Sequence, residues 1–182
     1  RARFIAGNAE LGTRIQDVIR AVVLRPRDPH SVYKEVAEMR ERIFHEKGPA
    51  ANILDIKQSR GGIIDIEFLV QAIILAHGAA LPNILQSHCA RALYAFGKAG
   101  LLPENTWKVL QDAYDFFRIV ENRLRLLHDR SENRISSSPA EQDRLAKLCH
   151  LTHGAALMDQ LRHTMDQVSQ IVRETLHVPE NH

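Results

Sequence analysis

The stretch Arg60-Gly61-Gly62-Ile63-Ile64-Asp65-Ile66-Glu67-Phe68-Leu69-Val70-Gln71-Ala72-Ile73-Ile74-Leu75-Ala76-His77-Gly78 constrains the chain more than any other. From Ile63 to Ala76 apolar residues occupy nearly every face of a 3.6-residue helix, broken only by Asp65, Glu67 and Gln71. A helix that is apolar all round must be surrounded by other elements. Its ends are marked as well. Gly61-Gly62 permits a sharp entry, the two acids sit where the helix dipole favours negative charge, and Gly78 supplies a stop. The remaining sequence has to provide a jacket for this helix and partners for its polar side chains.

The 182 residues contain 45% hydrophobic and only 5% aromatic residues. Such a chain can bury one sizeable core. Ala, Leu, Glu, Arg and Gln are plentiful, which favours an all-α fold. The sequence therefore predicts one helical domain over 1–182, a bundle of about seven helices with one short extended segment near residues 52–57. A formal charge of +2 and no long basic run give no sign of nucleic acid or of a polybasic membrane arm. The longest apolar run falls well short of the ~20 residues of a membrane helix. Cys89 and Cys149 fit a reducing, cytoplasmic setting better than a disulfide framework. An Arg1 in place of an initiator Met suits a piece of something longer.

Taken in order, Arg1 to Gly7 is a short lead. Asn8 then caps a helix with Leu11, Ile15, Val18, Ile19, Val22 and Val23 on one face, ended by Pro26. Asp28-Pro29 opens a second helix, with Val32, Tyr33, Val36, Met39 and Ile43 inward. Lys34, Glu35, Glu38, Arg40, Glu41 and Arg42 are expected outward, and Gly48-Pro49 ends this helix. Asn52 to Lys57 alternates as a strand would. It is either an extended lead-in to the central helix or a strand of a sheet whose other members lie elsewhere.

Beyond the loop from Ala79 to Gln86, Ser87 is expected to cap a helix with Ala90, Leu93, Tyr94 and Phe96, closing at Ala99-Gly100. The longest periodic stretch runs from about Pro103 to His128, with Trp107, Leu110, Tyr114, Phe117, Val120, Leu124 and Leu127 at steps of three and four. After a polar loop from Asp129 to Ser138, Ser138-Pro139 with Glu141 starts a helix with Leu145, Leu148 and Leu151 as its stripe. A last helix spans about Gly154 to His177, before Pro179. Short connections between such helices describe a bundle.

Few residues here offer chemistry of their own. Arg60 with the amides of Gly61 and Gly62 could face a phosphate or carboxylate, or form a plain tight turn. Asp65 and Glu67 lie two apart and do not face each other. They are expected to accept hydrogen bonds from arginines of another helix, with Arg118, Arg123 and Arg125 as donors and Glu121 as a local partner of Arg125, or to project toward a neighbouring site. Cys149, His150 and His153 are too few for zinc and predict no metal site. Ser136-Ser137-Ser138 lacks a nucleophile-elbow context. P-loop, Rossmann and paired-aspartate metal motifs are absent, so these residues predict no catalytic residue and no cofactor of their own.

The strings Asp55-Ile56-Lys57, Arg60 to Gln71, Gly100-Leu101-Leu102, and Tyr114 with Phe117-Arg118-Ile119-Val120-Glu121-Asn122-Arg123-Leu124-Arg125 together resemble the bacterial glutamine synthetase adenylyltransferase/deadenylylase family. In that family a nucleotidyltransferase domain is followed by a helical bundle, and this chain looks like one such bundle over essentially its whole length. The resemblance implies ATP and Mg2+ for the parent enzyme. It implies as partners glutamine synthetase, a PII-type signalling protein and the adjacent nucleotidyltransferase domain. It places Arg60, Gly61 and Gly62 toward the nucleotide side of an inter-domain cleft, and Asp65 and Glu67 at the domain interface. The adenylylating half is the closer likeness; the deadenylylating half and a regulatory interaction module are the alternatives. The family's metal-binding aspartates are missing from these residues, so the chain alone is expected to be inactive.

Overall fold

A computed structural model describes residues 4–50, 53–128 and 132–176. Seven helices account for nearly all of the regular structure: α1 (Ala9–Val23), α2 (Pro29–Lys47), α3 (Ile63–His77), α4 (Cys89–Lys98), α5 (Glu104–His128), α6 (Pro139–Leu148) and α7 (Gly154–Leu176). The all-α bundle expected from composition and periodicity is the observed architecture. Parts of the expected lead, extended segment, polar loop and last helix (Arg1 to Arg3, Asn52, Asp129 to Ser131, and His177 onward with Pro179) lie outside the described residues.

Local chemistry explains where the helices begin. The Asn8 side chain accepts from the Leu11 amide at 2.9 Å, and Asp28 accepts from the amide and hydroxyl of Ser31 at 2.8 and 2.7 Å. Each satisfies donors that the first turn leaves without an internal partner. Pro29 and Pro139 occupy the first helical positions, where a missing N–H costs nothing. The expected Ser87 cap is displaced by one residue. His88 is the residue that precedes α4, and it makes no side-chain cap.

Helix α3 is the axis of the bundle. Ile63, Ile66, Leu69, Val70, Ala72, Ile73, Ile74 and Ala76 are all buried, and α2, α4, α5 and α7 pack against the helix. Around it α6 pairs with α7 and α4 with α5. Phe96 of α4 and Phe117 of α5 are fully enclosed among Leu93, Leu110, Leu124 and the α3 side chains. Between α3 and α4 the expected loop holds a single 3-10 turn at Pro82–Ile84, which buries Ile84.

Several expectations are corrected. The extended segment expected near 52–57 is present at residues 53–55 as a single bridge, and it is not a strand of a sheet whose other members lie elsewhere. Asp55 makes one antiparallel bridge with Arg134 of this same chain, through Ile56 N–H to the Asn133 carbonyl at 2.9 Å and Ile135 N–H to the Leu54 carbonyl at 2.8 Å. The chain then turns. Asp55 accepts from the amides of Lys57 and Gln58, and the Ser59 hydroxyl meets the Asp55 amide, so alternation here reflects a side-chain-built turn. On α2, Arg40 is buried and Met39 is exposed, the reverse of the expected faces. Arg40 continues the row of Val32 and Val36 at four-residue steps, and the charge was misleading about its side. On α4, Tyr94 is half exposed and packs edge-on against Trp107. On α6, Leu148 is exposed at the helix end.

One glycine sets a distance between helices. Gly61 has φ +72°, and a Cβ there would stand 1.8 Å from the Met165 carbonyl oxygen of α7. Only hydrogen fits between the two backbones. Gly61→Ala is expected to destabilise the fold by about 2–4 kcal/mol, since left-handed strain and a backbone clash combine. Urea unfolding with unchanged slope measures it, and a loss below about 1 kcal/mol would mean that α7 yields easily.

Candidate functional site

The turn leading into α3 is tied to the second half of α2 by three side chains. Arg40 reaches inward from α2, and its Nε donates to Asp65 Oδ1 while Nη2 donates to the Gln58 carbonyl at 3.0 Å. Asp65 lies in the first turn of α3, and its other carboxylate oxygen accepts the Gly61 amide. Gly62, which precedes the helix, has no side chain with which to cap it. Asp65 therefore performs from inside the first turn what a capping residue performs from outside. Arg60 points back over α2. Its guanidinium takes both Glu41 carboxylate oxygens at 2.5 and 2.8 Å and lies 4.1 Å from the Phe44 ring centroid, a combination suited to a planar cation.

The electrostatics follow from depth. Burial pushes the Asp65 carboxyl above its ordinary value, against the opposing pull of Arg40, the Gly61 amide and Arg60. The exposed pair behaves oppositely: the hydrogen bond from Arg60 holds Glu41 below the usual carboxylate range. At the other end of α3, burial lowers the His77 imidazole, whose Nε2 lies 2.8 Å from the Tyr33 hydroxyl of α2. A neutral ring can accept there.

The expected arginine network divides into two. Asp65 pairs not with Arg118, Arg123 or Arg125 but with Arg40, which the sequence pattern places in solvent. Glu67 accepts from Tyr114 Oη at a long 3.5 Å. Glu121 is 1% exposed and holds Arg118 at 2.5 Å and Arg125 at 2.9 Å, so the expected local pair is present with a second arginine added. Arg123 Nε is buried without a hydrogen-bond partner, and burial pushes the Cys149 thiol up, with the charge of Arg123 opposing it. The Gly61 and Gly62 amides do not face outward. The first meets Asp65 and the second the Ser59 carbonyl at 3.0 Å, while those of Ile63 and Ile64 reach the carbonyls of Ile56 and Lys57. Of the three residues expected to face a nucleotide, only Arg60 presents a group to solvent.

Two clefts lie elsewhere. One of about 810 Å³ runs along α4 between Leu81, Pro82, Tyr94 and Lys98. Another of about 570 Å³ separates α1 from α3 and the start of α4. No sequence-predicted site residue lines either. Among the described residues no group of three or more His, Cys, Asp or Glu side chains is placed to hold a metal ion, and no helix is long and apolar enough to cross a membrane.

The helical unit over which these contacts extend coincides with a family model described as GlnD PII-uridylyltransferase, which matches residues 32–176. The chain belongs to this family. Its curated relatives include bifunctional glutamine synthetase adenylyltransferase/adenylyl-removing enzymes, as the glycine and arginine strings imply. That of Xanthobacter autotrophicus is 35% identical over 97% of this chain and 18% of its own length. The Nitrosococcus oceani protein is 38% identical over 80% of this chain and 15% of its own. A Rhodopseudomonas palustris protein is 39% identical over 69% of this chain and 13% of its own. The chain thus spans less than a fifth of the length of these relatives.

Two predictions arise from the buried pair and the imidazole. Arg40→Met should cost about 3–5 kcal/mol, because it leaves Asp65 buried and unpaired. Adding Asp65→Asn, which removes that charge and keeps an acceptor for Gly61, should restore part of the loss in denaturant unfolding; strictly additive losses would show that the two residues are not coupled. For His77, a folded value below the unfolded 6.5 gives stability that is complete above pH 6.5 and lost as pH falls through the lowered value. The urea midpoint should drop with pH in that window, and His77→Gln should flatten the drop.

Proposed function

We propose that this chain is the helical accessory domain of a glutamine synthetase adenylyltransferase, supporting transfer of AMP from ATP to glutamine synthetase in the cytoplasm. The observation that carries the reading is the family match over the helical unit together with the names of the relatives. In this reading ATP and Mg2+ belong to a nucleotidyltransferase domain of the same polypeptide. Phosphoryl transfer depends mainly on positioning and charge neutralisation, and a rigid bundle contributes to the first. The entry turn of α3 is held from α2 and α7, so Arg60 is presented on a fixed frame, with Asp65 holding the turn from beneath through Arg40 and Gly61. Arg118 and Arg125, both held by the buried Glu121, offer two further half-exposed guanidinium groups on α5.

A second reading follows from the family description, which names PII as the protein modified by uridylyltransferases of this group. In it the bundle is a regulatory module that docks a PII-type signalling protein.

The test is AMP transfer by the full-length protein. Arg60→Ala should lower it about tenfold with little change in melting temperature, whereas Glu41→Gln, which keeps the guanidinium over Phe44, should lower it less than threefold. Equal losses would make Arg60 a clamp for α2 alone, and wild-type kinetics in Arg60→Ala would remove it from the cleft. Binding of a PII-type protein that survives both changes, with transfer intact, would favour the docking module.

A further inference from the structure

The larger cleft, of about 810 Å³, has the volume of a small-molecule site. Its charged lining residues are Arg91 and Lys98, and no acidic residue lines it. Steps of three and four residues bring Arg91, Tyr94 and Lys98 into one row along α4. Leu81 and Pro82 supply an apolar wall beside that row, and Gln111 of α5 also lines the space.

Charge and shape together identify the occupant. Among the described residues the Arg91 guanidinium has no ion-pair or hydrogen-bond partner. Lys98 is partly committed: its Nζ stands 5.4 Å from the Tyr94 ring centroid, and it assists Lys108 in holding the Glu104 carboxyl below the usual range. Two cations with no acid in the lining favour an anion, and Arg91 offers it a planar pair of donors. The aromatic wall is fixed in advance. Tyr94 packs edge-on against Trp107 with ring centroids 5.6 Å apart, and Trp107 lies so close over Gly97 that a Cβ there would stand 2.2 Å from its Nε1. Tyr94 nevertheless stays 50% exposed and Leu81 36% exposed, so a flat apolar body has surface to cover. Gln111 Oε1 is buried with no hydrogen-bond partner, a state that favours any ligand able to supply the missing bond.

We propose that this cleft binds a small organic carboxylate with a flat apolar body. The carboxylate meets Arg91, the body lies across Tyr94 and against Leu81, and the Gln111 amide bonds a polar group of the ligand. Arg91 and Lys98 are separated by about 10 Å along the helix axis, so a body of one or two rings fits between them. The site is independent of the activity of the parent polypeptide.

The test is photolabelling of the full-length protein with 4-benzoylbenzoate, an aromatic carboxylate, and with its neutral amide, read by peptide mass spectrometry. The acid should label the segment from Leu81 to Lys98 saturably, and about tenfold more than the amide at equal concentration, the worth of one charge-assisted hydrogen bond. Arg91→Gln, at an exposed position, should bring the acid down to the level of the amide with an unchanged melting temperature. Lys98→Gln should weaken labelling less. Equal labelling by acid and amide would overturn the proposal, leaving an apolar surface only. Wild-type labelling in Arg91→Gln, or label spread over other helices without saturation, would do the same. Labelling that falls as protein concentration rises would also overturn it, assigning the cleft to a second copy of the chain.

Discussion

The contact between Arg40 and Asp65 governs how the first half of this bundle is assembled. Both groups are nearly inaccessible to water, and neither is tolerable there alone. Each is also committed to backbone: Arg40 to the carbonyl of Gln58, Asp65 to the amide of Gly61. A pair satisfied in this way fixes the turn between residues 58 and 61 relative to α2 and, through Gly61, relative to α7. The apolar surface of α3 supplies most of the drive for burial, but it has no preferred direction. The ion pair selects the one rotation of α3 at which its first turn meets α2.

How much of this was legible in the sequence depends on the kind of signal. The periodicity of α5, the proline starts of α2 and α6 and the wholly apolar character of α3 act locally, and the helices appear where those signals place them. Arg40 is hard to place from sequence because a charged residue among Lys34, Glu38 and Arg42 looks like solvent-facing surface; its four-residue spacing from Val36 and Val32 is the available clue. The position of Asp65 on an apolar helix calls for an arginine, and it has one. Which arginine depended on the crossing of α2 over α3, and no local pattern encodes that. The bridge from Asp55 to Arg134 joins segments nearly eighty residues apart, and alternation cannot identify so distant a partner.

The candidate site shows the same division. Twin glycines ahead of a helix fit a phosphate cradle and a close backbone crossing equally well from sequence. The crossing is what the fold contains, because the amides find carbonyl and carboxylate acceptors within the turn. Arg60, by contrast, keeps a half-exposed guanidinium whose plane is set by Glu41 and Phe44. An arginine held in one orientation loses little further freedom when it meets a partner. Glu121 does the same for Arg118 and Arg125, with the difference that its carboxylate is wholly enclosed.

The approach of Gly61 to α7 is made to the carbonyl of Met165 and not to its thioether. The junction consequently senses where α7 lies along its own axis but is blind to the identity of the residue placed there. Exchanging side chains at that level disturbs only the packing of α7, whereas inserting or deleting a single residue upstream in the helix would slide a different peptide unit beneath the turn. Two proteins of this kind can therefore differ widely in the composition of the last helix while retaining the same count of residues between its start and this crossing.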